Sequence, residues 1–204
     1  MRFEIDRKIL IVIIIFAIMK KIDIYFIYLI SIIFHELMHY IFSRIIKADV
    51  NYIRLGIFGM SMDVAFIGKT NFIKKIIFYL AGPCFNFFVA FLFRNVNIKV
   101  AYLNFAIGIF NFLLIVPLDG GNIILVVLKR FFGVHLGYMI SLVFSKCFLF
   151  ILSFVYAVML IQIKNIYLLL LIVYMWRLYF IEESKFLLFN RIVKCLKNVE
   201  KNEN

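Results

Sequence analysis

Cysteine is scarce and dispersed. Cys84, Cys147 and Cys195 form no CxxC pair, which argues against a disulfide framework or a cysteine metal cluster. Proline is scarcer still, with Pro83 and Pro117 alone in 204 residues. So little proline, beside 19% aromatic residues, suits lipid-facing helices. No small-residue cleavage site follows the first apolar run; Lys20, Lys21 and Asp23 follow it instead. Residues 9–19 therefore read as a retained segment and not as a signal peptide. Acidic residues are few, 11 against 23 basic, for a net charge of +12. Such a charge can mean nucleic acid. Here the basic residues stand at the ends of apolar runs, the positive-inside pattern, so the lipid bilayer is the expected partner and nucleic acid is discounted.

What the chain has is apolar length. Hydrophobic residues make up 66% and the mean hydropathy is +1.05, far above a soluble domain. The expected fold is an all-α polytopic membrane protein of about six transmembrane helices. The apolar runs are residues 9–19, 24–46, 76–93, 100–116 (continuing to 128), 138–161 and 166–181. The first is short for a span and either borrows flanking residues or is re-entrant. Residues 47–75 differ. They alternate and carry Gly56, Gly59 and Gly68, which predicts a membrane-associated β-hairpin at about 50–66, or else a plain connecting loop. An exposed strand edge there can pair with an extended peptide. Residues 1–181 read as a membrane core and 182–204 as a cytoplasmic basic amphipathic tail, with Phe186, Phe189, Val193 and Leu196 on one stripe. With six spans, most of the 23 Lys and Arg fall on the side of the termini, which places both termini in the cytoplasm.

Inside the second run stands His35-Glu36-Leu37-Met38-His39. An ionisable group at the bilayer centre costs at least about 2.5–3.5 kcal/mol on insertion scales, so groups carried there are functional candidates. Residues four apart share a helix face. His35 and His39 can thus hold one zinc ion, with Glu36 beside them as general base. A break at Pro117-Leu118-Asp119-Gly120-Gly121 places a carboxylate within apolar sequence, and a buried aspartate wants a cation. Two histidines and one carboxylate leave zinc a fourth position open, the arrangement of a catalytic site. Charge counting puts HELMH and Asp119 towards the same membrane side, independently of any metal argument. Ala81-Gly82-Pro83-Cys84-Phe85-Asn86 reads either as a structural kink or as part of the site.

Together, HELMH, AGPxxN and Phe110-Asn111…Pro117-Leu118-Asp119-Gly120-Gly121 resemble the site-2 protease family of intramembrane zinc metalloproteases, most closely its sporulation branch. The resemblance implies a membrane metalloendopeptidase with one zinc ion per chain held by His35, His39 and Asp119, and Glu36 as the catalytic base. It implies that Asn111 and Pro117 lie near the substrate strand or the oxyanion, with Asn86 a further candidate. It implies a membrane-associated protein substrate, a sporulation sigma-factor precursor among the candidates, and inhibitory membrane proteins as regulators. The expected location is a bacterial cell membrane, with the forespore-surrounding membrane as one candidate. Leu114 stands where the family often has proline, and the chain is expected to lack the C-terminal CBS pair of sporulation relatives. The rival readings are a prenyl-protein endopeptidase, discounted because Leu187 stands where the EExxxR pattern after Glu182-Glu183 needs arginine, and a non-catalytic membrane scaffold or metal carrier.

Overall fold

The computed structural model describes residues 2–5, 20, 22–56, 59–65, 71–163 and 166–203. The expected first span, residues 9–19, lies outside them. In order come β1 (Arg2–Ile5), α1 (Ile22–Ile45), β2 (Asp49–Gly56), β3 (Gly59–Ala65), α2 (Phe72–Phe93), α3 (Ile98–Asn111), α4 (Asp119–Ile163) and α5 (Ile166–Glu203). Among the described residues, Ile22–Ile45, Phe72–Phe93 and Asp119–Met159 are long and apolar enough to cross a membrane, and Ile98–Asn111 is apolar but shorter. The chain has the make-up of an integral membrane protein. It divides into two compact units, Met1–Leu113 and Leu114–Asn204.

In the first unit the usual polarity of a water-soluble core is reversed. α1 buries Ser31, His35, His39 and Ser43 and turns Phe26, Ile30, Phe34, Leu37 and Ile41 outward. Lipid accepts the outward apolar stripe, and the inward polar groups bond between helices. Asp23 in the first turn and Arg44 in the last complement the helix dipole. The helix ends in a Schellman turn: Lys47 takes the left-handed conformation at φ 58°, Ala48 N–H bonds to Ser43 O at 2.9 Å and Lys47 N–H to Arg44 O at 3.2 Å. Ile46 and Ala48 then bury against Phe78, and the chain leaves directly into β2.

β2 and β3 pair antiparallel from Asp49↔Ala65 to Gly56↔Gly59, with an irregularity between Val50 and Tyr52. The residues linking them, 57–58, lie outside the described set. β1 adds parallel to β2, Arg2↔Tyr52 through Ile5↔Leu55, giving a three-stranded sheet in the order β1-β2-β3. The charged lead-in of the sequence carries no strand pattern; its pairing comes from β2. α2 starts at an Asn71 cap whose side chain accepts from Ile73 N–H at 3.2 Å. It buries a row of mostly small groups, Ala81, Gly82, Pro83, Asn86 and Ala90, which lets α1 and α3 approach closely. α3 is capped by Asn97, and Lys99 pairs with Asp23 at 2.9 Å, so α1 and α3 begin side by side.

The fourth apolar run does not stay helical to residue 116. α3 stops at Asn111 and a new helix begins at Asp119. Pro117 lacks an N–H to donate to the turn before it, and the chain uncoils five residues earlier than the apolar pattern suggests, with Phe112 N–H closing on Gly108 O at 3.1 Å and Ile109 O at 3.0 Å.

In the second unit α4 is broken at Gly133 (φ 79°, ψ 171°). The chain doubles back there so tightly that a Cβ on Gly137 would lie 2.6 Å from Lys129 N. α5 runs from Ile166 to Glu203, so residues 182–203 continue the helix of the sixth apolar run. It packs on α4 through Trp176 Nε1–H to Ser153 Oγ at 3.0 Å, Tyr138 O–H to Glu182 Oε2 at 2.9 Å, and Tyr138 stacked on Phe186 at 5.0 Å and 4°.

Candidate metal centre

The helical rise brings His35 and His39 onto the inward face of α1, 3% and 4% exposed. Their ring centroids are 4.9 Å apart, edge to face at 74°. Each ring is held at Nδ1 and points Nε2 at the other. His39 Nδ1 lies 2.8 Å from the carbonyl oxygen of Phe78, which can only accept, so His39 Nδ1 carries a hydrogen. His35 Nδ1 lies 2.8 Å from Asn86 Oδ1, again an acceptor. In the neutral rings both Nε2 atoms are then left with lone pairs, 3.2 Å apart. Two nitrogens bound at about 2.0–2.1 Å to one tetrahedral ion stand roughly 3.3–3.4 Å apart. The pair is already spaced as one edge of such a tetrahedron.

Gly82 completes this cradle. A Cβ built on it would fall 2.5 Å from each of the two Nε2 atoms. The glycine of Ala81-Gly82-Pro83 is therefore a matter of space beside the rings. Pro83, one residue further on, has no N–H to return to Tyr79 O one turn back. The donor set, its tautomers and the room beside it fit a divalent metal. Glu36, half-buried, is next to His35 on α1.

Asp119 is the first residue of α4 and is half-buried. The turn that presents it is held from within its own unit. Leu118 N–H bonds to Ile115 O and Asn122 N–H to Leu118 O, both at 2.8 Å. Asn122 Nδ2 donates to Pro117 O at 2.8 Å, and Val116 N–H donates to Ser145 Oγ at 3.1 Å. Gly121 packs on the Ile115 backbone with no room for a Cβ. The Asp119 backbone thus sits at a defined place after a defined turn, and Pro117 has its carbonyl engaged.

Of the residues read from sequence, His35, His39 and Asn86 come together in the first unit. Asn111 ends α3 in that unit, half-buried, with Nδ2 donating to Ile107 O at 3.1 Å. Asn86, considered above for substrate or oxyanion contact, is fully buried with Oδ1 on His35 and Nδ2 on Asn104. The Phe78 carbonyl and Asn104 were not legible as site groups, and Gly82 was legible only within a string that read either as a kink or as part of the site. The AGPxxN string marked the turn but not what stands across from it.

A buried pair of histidines on an apolar helix stands with its two Nε2 atoms 3.2 Å apart, the spacing of two ligands of one ion. The fold is more specific. It matches that of the site-2 protease from Methanocaldococcus jannaschii with a TM-score of 0.65, at 22% identity, over 89% of each chain. At that identity the likeness is one of fold. No protein-family model and no curated protein matches the sequence.

Proposed function

We propose that this chain is an intramembrane zinc endopeptidase that cleaves a membrane-associated protein. The observation that carries the reading is the His35–His39 pair: buried, tautomerically set and 3.2 Å apart at Nε2. His35, His39 and Asp119 hold one zinc ion per chain, the set of two imidazoles and a carboxylate that leaves a position open. Zinc, when bound, lowers the pKa of water towards about 7 and stabilises developing negative charge. Glu36 takes the proton of the attacking water and passes it to the leaving amine. Asn111 supplies a donor towards the developing oxyanion, and Pro117 borders the substrate strand. The substrate unwinds locally, because a helix hides its carbonyls.

The finer reading rests on the motif resemblance and on charge. About six segments cross the membrane, with a β-hairpin at one face, both termini cytoplasmic and residues 182–204 as a basic amphipathic segment. The resemblance favours the sporulation type, which processes the sigma-K precursor, in the forespore-surrounding membrane and under inhibitory membrane proteins. The test is Glu36→Gln in the full chain. Purified protein should retain about one zinc per chain, and cleavage of membrane-tethered precursors should fall by about 10²–10⁴-fold. Zinc retained with no cleavage by the unaltered chain would favour a metal carrier or scaffold; full activity in Glu36→Gln would refute the mechanism.

A further inference from the structure

Four buried polar side chains on three helices form one directed hydrogen-bond chain that ends on His35. Ser31 lies one turn before His35 on α1, and its hydroxyl donates to Ile27 O at 2.8 Å. With its hydrogen committed there, Ser31 Oγ offers a lone pair to Asn104 Nδ2 on α3, 3.0 Å away. Asn104 Nδ2 also donates to Val100 O at 2.9 Å. A main-chain carbonyl can only accept, so the Asn104 amide has one allowed orientation, and its Oδ1 must face Asn86. Asn86 Nδ2 donates to that oxygen at 3.2 Å. The other end of the Asn86 amide, Oδ1, is then turned to His35 Nδ1 at 2.8 Å. Asn104 and Asn86 are 2% and 0% exposed, so water does not offer either amide an easy alternative.

We propose that Asn104 is a positioning residue for the metal centre: acting through Asn86, it holds His35 in the tautomer whose Nε2 carries no hydrogen and can ligate. An isolated asparagine at position 86 can turn its amide by half a revolution and offer N–H₂ to His35 Nδ1. The ring would then carry its hydrogen on Nε2, where a metal has to bind. Asn104 removes that choice, because a flipped Asn86 would set carbonyl oxygen against carbonyl oxygen. Val100 O is the anchor that fixes Asn104, and Ser31 supports it. His39 needs no such device, since its partner is a main-chain carbonyl.

The inference rests on the zinc reading above, and its test separates the two. Zinc affinity is measured by chelator competition on the purified full chain in lipid nanodiscs, for the unaltered protein, Asn86→Ala, Asn104→Ala and the double variant. Loss of a partner orienting a metal-bound histidine typically weakens binding 10–100-fold. Asn86→Ala is expected in that range and Asn104→Ala near its lower end. The double variant should be no weaker than Asn86→Ala alone, because Asn104 acts only through Asn86. Ser31→Ala, which leaves the Val100 anchor, should change affinity less than threefold. Multiplying effects in the double variant would mean that Asn104 merely packs, and would overturn the proposal. A second readout needs no zinc: ¹⁵N spectra of histidine-labelled metal-free protein report which ring nitrogen is protonated. His35 should appear with hydrogen on Nδ1 in the unaltered chain and as a mixture in Asn104→Ala. Hydrogen on Nε2 of His35 in the unaltered chain would overturn the relay even if zinc binds. Absent zinc binding with Nδ1 protonated as expected would instead overturn the zinc reading and leave the relay standing.

Discussion

Gly82→Ala should separate metal binding from folding. Alanine is the better helix former by roughly 0.8–1.0 kcal/mol in an interior position, and α2 continues well past residue 82 on both sides. On propensity alone the variant is neutral or stabilising. Its Cβ, however, would stand 2.5 Å from both Nε2 atoms and 2.7 Å from His35 Cε1. Ordinary non-bonded separation is about 3.5–4.0 Å between carbons, so rings or helix must yield by about 1 Å. Both rings are pinned at Nδ1 by 2.8 Å contacts, and metal–ligand distances tolerate only about 0.2 Å. Zinc affinity should fall at least about 100-fold, equivalent to roughly 2.7 kcal/mol. Melting of the metal-free protein should shift by no more than a few degrees. The assay is chelator competition together with a thermal melt, both in the same membrane mimetic. Unchanged zinc affinity in Gly82→Ala would show that the ion does not sit between these imidazoles.

Three further outcomes are expected. Asp119→Ala should reduce zinc retained after gel filtration, read by mass spectrometry, by more than about tenfold in affinity, with Asp119→Glu recovering part of it. Gly133→Ala should destabilise the second unit by about 1–3 kcal/mol, because φ 79° with ψ 171° is a region that essentially only glycine occupies; nothing lies within 4 Å of the added Cβ, so the cost is backbone strain and not a clash, and unfolding of purified protein measures it. Lys47→Gly should raise stability by up to about 1 kcal/mol, since the left-handed position at φ 58° closing α1 is one where glycine has no Cβ penalty; a decrease would mean that the lysine side chain contributes more than its backbone strain costs.

The histidine pair was legible in the sequence because a helix converts a spacing of four into a shared face without help from the rest of the fold. The break before Asp119 was legible for a similar reason: proline and two glycines act on the local backbone. The partners of the rings were not. Asn86 meets His35 across 51 positions and Asn104 meets Ser31 across 73, distances at which only helix packing decides who touches whom. Gly82 read as either a loosened turn or part of the site, because its purpose is visible only once the imidazoles stand beside it. The end of α3 was placed late because Leu113 to Val116 is apolar throughout, and apolarity alone does not distinguish helix from an extended buried segment. β1 escaped notice because four residues are too few to show a period, and their strand state is lent by β2.

The two imidazoles lean on supports of different kinds. His39 is held by the peptide group of residue 78, and every amino acid supplies the same carbonyl there. His35 depends on one particular amide side chain. Genetic drift at position 78 therefore leaves its ring's anchor intact, whereas a single codon change at 86 undoes the other.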